Sequence, residues 1–137
     1  MSCWTHVAGC IRIDDMNKLF SLSGGLDLSK IFIRDTWYHP NKQGNLPKGS
    51  EGSIDVEFID RNDDESSAYM RTVAFFGDLR GFDKKDCQKI RDWWFHIPEK
   101  LGNSCGIRQA VLQIIPEDGQ TIVLTEKDMN IIEENEE

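Results

Sequence analysis

Residues 83–98, DKKDCQKIRDWWFHIP, carry the clearest helix pattern in the chain and set the fold class. Asp83, with Asp86 three residues later, has the spacing of a helix start at which two side chains cap each other's backbone amides. Pro98 is expected to end the helix, because proline has no amide hydrogen to donate. Apolar residues recur at helical spacing and predict the buried side, with Trp93 at its edge. These residues are Cys87, Ile90, Trp94 and Ile97.

Strand patterns surround this helix. In residues 3–13 and 54–58, apolar and polar residues alternate, as they do when one face of a sheet is buried. Tyr69–Phe76 is apolar on both faces near its end, which predicts a central position in the sheet. The sequence Glu117-Asp118-Gly119 predicts a hairpin turn between the last two strands. The predicted strands are residues 3–13, 54–58, 69–76, 107–115 and 120–125.

The connections in the first half of the chain are less regular. Asp14 or Asp15 is predicted to cap a short helix that runs through Leu22. Residues 26–35 fit either a further helical turn or a strand. Residues 36–53 predict a loop of a length that is uncommon inside a compact domain and is usually functional or mobile.

The order of these elements is strand, helix, strand, strand, helix, strand, followed by one hairpin strand. Two crossovers joined by a hairpin are the split βαβ arrangement of ferredoxin-like folds. We therefore predict an α+β fold, a ferredoxin-like β-α-β-β-α-β unit with an extra C-terminal hairpin strand. Both helices would cover one face of an antiparallel sheet and leave the other face for solvent, a ligand or a second subunit. Residues 1–125 form a single domain in this prediction, and residues 126–137 form an acidic C-terminal tail.

The formal net charge of −8 has two sources in the sequence. Residues 126–137 have a net charge of −5 and residues 60–65 a net charge of −3, which together account for the whole value. This favours a solubilising tail and a solvated turn over a face that imitates the phosphate backbone of a nucleic acid. Direct nucleic-acid binding is not expected, because no cluster of basic residues is present to displace counterions from phosphates.

The composition predicts neither export nor membrane insertion nor a cofactor. Residues 1–6 lack the features of a signal peptide, and no apolar run approaches the roughly 20 residues that cross a bilayer. We therefore expect a cytoplasmic protein whose cysteines stay reduced and are mostly buried. A metal site is not predicted, because strand alternation puts Cys3 on the face opposite His6 and Cys10.

Large aromatic side chains give the strongest functional signal. Trp4 and His6 share the sheet face that the helices are expected to leave open. Trp37 and Tyr38 stand at the start of the long loop, and Phe95 points away from the buried side of its helix. Exposed aromatic rings bind partners well, because they bury a large area at a low entropic cost. The pattern is equally compatible with a loop that folds back and buries these rings.

A small-ligand site is a second hypothesis. Residues 77–82 form a glycine-bounded connection before a helix, whose first backbone amides could bind an anion. The loop at residues 36–53 would form the other wall of such a site. The candidate residues are Trp4, Trp37 and Tyr38 for stacking a nucleotide base, and Arg80 and Arg108 for its phosphates.

The leading hypothesis is a small, acidic, non-enzymatic protein that binds a protein partner through the open sheet face and the loop at residues 36–53. Such a face also predicts self-association as a homodimer or larger homo-oligomer. Small acidic chains of this style are common among phage-encoded proteins that block host factors, so a phage-type inhibitor is one form of the hypothesis, although no motif supports it. The alternative is a protein that binds or sequesters a nucleotide-like ligand. An enzyme, the third hypothesis, would need His6 beside a cysteine or an acid.

Overall fold

A five-stranded antiparallel sheet and two short α-helices form the described part of the chain, so the α+β class is confirmed. This computed structural model describes residues 3–16, 25–33, 46–60, 70–103 and 105–131. The strands are β1 (Trp4–Asp15), β2 (Asp55–Asp60), β3 (Met70–Arg80), β4 (Cys105–Pro116) and β5 (Ile122–Thr125). The helices are α1 (Cys87–Phe95) and α2 (Ile97–Leu101), with single 3-10 turns at Leu28–Lys30 and Glu126–Asp128. None of the helices in these residues is long and apolar enough to cross a membrane.

The strands lie in the order β2-β3-β1-β4-β5, and each neighbouring pair is antiparallel. β1 is the central strand and pairs with β3 and β4 along nearly its whole length. Its buried apolar residues, Val7, Ile11 and Ile13, occupy odd positions, which is the predicted alternation. Because the β1 backbone is hydrogen-bonded on both sides, only its side chains are available to a further partner.

Helix α1 packs on the buried face of the sheet. Ile90 and Trp94 are fully buried, and the Trp94 ring lies edge-on to Phe75 of β3, with ring centroids 6.2 Å apart. The predicted reciprocal contacts of Asp83 and Asp86 are present, but they close a turn before the helix, which begins at Cys87 and not at Asp83. The Asp83 carboxylate accepts a hydrogen bond from the Asp86 amide at 3.1 Å, and the Asp86 carboxylate accepts one from the Asp83 amide at 3.2 Å.

Pro98 does not end α1, contrary to the sequence-based expectation. The helix ends at Phe95, and Pro98 lies in the first turn of α2, which begins at Ile97. Proline is well tolerated there, because the first amides of a helix have no partner within the helix. The break between the two helices therefore comes before the proline.

The predicted β-α-β-β-α-β order is not matched. Within the described ranges, both bounded α-helices come after β3, and the helical residues between β1 and β2 are Met16 and the 3-10 turn at Leu28–Lys30. The apolar residues of this connection, Leu28, Phe32 and Leu46, are buried in the core from turn and irregular backbone. Of the two alternatives predicted for residues 26–35, the helical turn is present as the 3-10 turn at Leu28–Lys30.

Asp14 and Asp15, the predicted helix caps, are the last residues of β1. The fully buried Asp15 carboxylate accepts hydrogen bonds from the Leu26 amide at 2.8 Å and from the Arg71 guanidinium at 3.1 Å. Asp15 thereby ties the end of β1 to the following connection and to β3. Met16, which follows Asp15, is helical, and residues 17–22 of the predicted helix lie outside the described residues.

β3 is longer than predicted, because residues 77–80 continue the strand instead of forming a connection. Gly77 allows the backbone at Ser53 to pass close by, since a Cβ at Gly77 would lie 2.4 Å from the Ser53 carbonyl oxygen. A glycine within a strand can mark such a close approach as well as a break. Here it marks the close approach.

The end of the predicted long loop folds against β3. The Ser50 amide donates a hydrogen bond to the Arg80 carbonyl oxygen at 2.7 Å, and the Arg80 amide donates one to the Glu51 carbonyl oxygen at 2.9 Å. Residues 46–53 are thus fastened to the sheet. Residues 36–45 of the predicted loop lie outside the described residues.

The first residues of the predicted acidic tail pack on the helices. Met129 is buried, and the Asn130 amide donates a hydrogen bond to the Phe95 carbonyl oxygen at 2.9 Å. The Thr125 hydroxyl caps the intervening 3-10 turn by accepting the Lys127 amide at 3.2 Å. Residues 132–137 lie outside the described residues.

Candidate binding surface

The sheet face opposite α1, which we call the open face, carries exposed apolar side chains. Alternate residues of all five strands form it, and the register brings its central members together. Phe76 is 45% exposed and Val123 is 53% exposed, although both lie on well-paired strands. An exposed apolar patch with a polar border is typical of an interaction surface. The central members of the open face are the polar Gln113 and the residues Ala8, Cys10, Ala74, Phe76, Val111 and Ile115.

Charged side chains border this apolar centre. Acidic groups outnumber basic ones on the described part of the open face, whereas Lys84, Lys85 and Lys89 lie before or on α1. Acidic residues also lie before or on α1, among them Asp83, Asp86 and Asp92. The acidic residues at the border are Asp14, Asp55, Glu57, Asp78, Glu117 and Glu126, and the basic residues are Arg12, Arg80 and Arg108.

His6 lies at one end of the open face between two carboxylates. Its Nδ1 is 2.6 Å from Asp78 Oδ1, and its Nε2 is 3.3 Å from Glu117 Oε2. Both ring nitrogens can donate to these acceptors only when the imidazole is protonated. The hydrogen bond to Asp78 raises the pKa of His6 above its usual value, with a further contribution from Glu117. Glu117 also accepts the Trp4 amide at 3.1 Å, so the cluster joins β1, β3 and the β4–β5 turn.

The His6 contacts predict a pH-dependent contribution to stability. Because the pKa of His6 is raised in the folded state, this contribution is complete below the unfolded-state pKa of about 6.5 and is lost as the pH rises through the folded-state value. We expect the His6→Gln substitution to lower the free energy of unfolding, and this loss should be larger at about pH 5.5 than at about pH 8.5. Urea denaturation of both chains at the two pH values measures this difference. An equal difference at both values would contradict the assigned contacts.

Arg108 and Trp4 lie at opposite ends of the open face. Arg108 follows an irregularity in the β1–β4 pairing, and its Nη2 is 3.1 Å from Asp14 Oδ2. At about 3.3 Å per residue, Asp14 lies about 33 Å along β1 from Trp4. The structure therefore does not bring Trp4 and Arg108 together as the base-stacking and phosphate-binding groups of one nucleotide site.

Arg80 is beside Trp4 in the sheet register, but it contacts an acid. Its Nη1 is 2.8 Å from Glu51 Oε1, and Glu51 would repel a phosphate at this position. The nearby Ser50 amide already donates its hydrogen bond to the Arg80 carbonyl oxygen and is not available to a phosphate. Trp37 and Tyr38, the other predicted stacking residues, lie outside the described residues.

Phe95 belongs to a different surface. It is 43% exposed on α1, and its ring lies edge-on to His96, with ring centroids 5.1 Å apart. It lines a shallow groove of about 290 Å³ on the helix side of the sheet, together with Arg91, Asp92 and Leu124. Phe95 and the open face are therefore two separate candidate surfaces.

The cysteines do not form a nucleophile–base pair with His6. Cys87 and Cys105 are buried, and burial raises the pKa of the Cys87 thiol, which keeps it protonated. Cys10 shares the open face with His6 but lies about 13 Å farther along β1. Among the described residues, no cluster of three His, Cys, Asp or Glu side chains could hold a metal ion.

Sequence patterns missed several residues of the open face. Phe76, Val111 and Ile115 were assigned to strands, but no binding role follows from a strand pattern alone. The available signal was the apolar character of both faces of β3 and β4. For β3 that signal predicted a central position in the sheet, and β3 does lie between β2 and β1, but the outward side of both strands is exposed. The contact of His6 with Asp78 and Glu117 joins residues far apart in sequence and depends on the strand register.

Comparison with protein-family models, with curated proteins and with solved structures finds no match to this chain. The function proposed below is therefore argued from the chain's own geometry.

Proposed function

We propose that this chain is a non-enzymatic protein-binding protein and that the open face is its binding surface. The observation that carries the proposal is the exposure of Phe76, Val111, Ile115 and Val123 on one side of a well-paired sheet. Keeping such side chains in water is unfavourable by roughly 25 cal/mol for each Å² of apolar area. A partner that covers them recovers this free energy.

The layout of the open face supports the same proposal. Specific interfaces combine an apolar centre with a polar border, and aromatic residues are frequent in the centre. Here Phe76, Ala8 and Val111 occupy the centre, while Asp55 and Glu57 lie toward the β2 edge. The sheet provides a rigid support, because every strand of the open face is paired along its length.

The chemistry at His6 favours binding over catalysis. Both ring nitrogens contact carboxylates, so neither is directed at a cysteine or serine nucleophile in the described structure.

Two phenylalanines make a matched test of the binding surface. Phe76 on the open face and Phe95 on α1 are almost equally exposed, at 45% and 43%. Wild-type, Phe76→Arg and Phe95→Arg chains would be used as baits in extracts of cells that produce the protein, with captured proteins quantified by mass spectrometry. We expect Phe76→Arg to lower recovery of the specific partner by roughly tenfold or more and Phe95→Arg to leave it nearly unchanged.

Thermal denaturation of each bait would show that the variants remain folded. Loss of the partner with Phe95→Arg but not with Phe76→Arg would move the binding site to the helix groove. Unchanged recovery with both variants would contradict a role for either surface.

A further inference from the structure

The open face has a shallow trough along β1. The middle of β1 carries the small side chains Ala8 and Cys10. Phe76 on β3 and Gln113 on β4 flank Ala8, whereas Ala74 on β3 and Val111 on β4 flank Cys10. Near Cys10 and Arg12 the surface forms a depression of about 310 Å³. Ala8 and Cys10 therefore make a short low stretch on the central strand between His6 and Arg12.

The dimensions of this trough fit an α-helix. β3 and β4 are two strand spacings apart, or about 10 Å, which is about the diameter of a helix with its side chains. His6 and Arg12 close the two ends of the trough, which is about 20 Å long between them and equals the length of a helix of about 13 residues. A partner strand would fit poorly, because the backbone of β1 is already paired on both sides.

The charges around the trough favour a basic partner. Asp55 and Glu57 lie toward the β2 edge, Glu126 lies beside the depression near Cys10, and Asp78 and Glu117 lie at the Trp4 end. A second copy of this chain would bring an equally acidic surface against this one. Opposite potentials at an interface speed association and exclude wrong partners.

We infer that the open face binds an amphipathic α-helix of another protein, which lies along β1 with its apolar stripe over Ala8 and Cys10 and with lysine or arginine on both flanks. This inference rests on the proposed function and adds the class of partner. The apolar stripe fills the trough, and the basic flanks meet the carboxylates of the border.

Three synthetic peptides of about 18 residues test the inference. The first has leucines at helical spacing and lysines elsewhere, the second has glutamates in place of the lysines, and the third has the composition of the first in a scrambled order. Binding is followed by backbone amide NMR and by calorimetry at about 0.15 M salt, where weak surface attraction is screened. We expect the first peptide to bind roughly tenfold or more tightly than the others and to shift resonances of β1, β3 and β4.

Ala8→Gln is the diagnostic variant, because it fills the trough without changing the charge. It should weaken binding of the first peptide by roughly tenfold, whereas Gln88→Ala on exposed α1 should leave it unchanged. Equal binding of the scrambled peptide, or undiminished binding by Ala8→Gln, would overturn the inference. The inference would also be overturned if the wild-type chain formed a dimer that dissociates on Ala8→Gln substitution, because a second copy of the chain would then occupy the trough.

The peptide test can fail independently of the proposed function. If Phe76→Arg abolishes capture of the cellular partner while the leucine–lysine peptide does not bind, the open face binds a partner of another shape. If the peptide binds as expected but capture does not depend on Phe76, the trough has the inferred chemistry and the proposed function is wrong.

Discussion

Asp15→Ala is expected to lower the free energy of unfolding by about 3–5 kcal/mol, the usual loss when one partner of a buried ion pair is removed. The Asp15 side chain is fully buried, and that of Arg71 is only 10% exposed. The substitution removes the acceptor of the Leu26 amide and an acceptor of the Arg71 guanidinium. Urea denaturation at neutral pH measures the loss, and Asp15→Asn, which keeps an acceptor for the Leu26 amide, should lose less.

The neighbouring residue provides the control for this prediction. Asp14 forms an ion pair with Arg108, whose side chain is 46% exposed, so water weakens the interaction. Asp14→Ala should therefore lower the free energy of unfolding by no more than about 1 kcal/mol. Equal losses for the two alanine variants would contradict the buried position of Asp15 at the end of β1.

Trp94→Ala is expected to lower the free energy of unfolding by about 3–5 kcal/mol, as for other large aromatic residues in a core. The ring is fully buried against Phe75, and its Nε1 donates a hydrogen bond to the Thr125 carbonyl oxygen at 2.9 Å. The substitution leaves both a cavity and an acceptor without its donor. Thermal and urea denaturation should both show the loss.

Phe95→Ala is the matched control on the same helix. Phe95 is next in sequence but 43% exposed, so its removal should change the free energy of unfolding by no more than about 1 kcal/mol. A large loss for Phe95→Ala together with a small loss for Trp94→Ala would mean that the buried side of α1 has been assigned incorrectly.

Local patterns predicted most of the elements correctly. The period of Cys87, Ile90 and Trp94 located the helix and its buried side, and alternation in residues 3–13 located β1 and its buried face. Each pattern arises because a regular helix or strand buries one of its sides in the hydrophobic core. The hairpin between β4 and β5 was predicted for a similar reason, since its turn residues are local.

Long-range features escaped the sequence patterns. Asp15 resembles a helix cap in the sequence, and only its distance from Arg71 shows that it is half of a buried pair. Gly77 resembles a strand end in the sequence, and only the close approach of the Ser53 backbone in the structure explains a glycine inside the strand. The open face also depends on the strand register, because its residues Phe76, Ala8 and Val111 come from three different strands.

The most direct test of the central claim places a photoreactive phenylalanine analogue at Phe76 in one chain and at Phe95 in another, and irradiates cells that produce each chain. The analogue resembles phenylalanine, so both surfaces keep their aromatic ring while reporting contact within a few ångströms. The account predicts a discrete cross-linked protein from position 76 and none from position 95. Cross-linking from position 95 alone, or from neither position, would contradict the claim that the open face binds a protein.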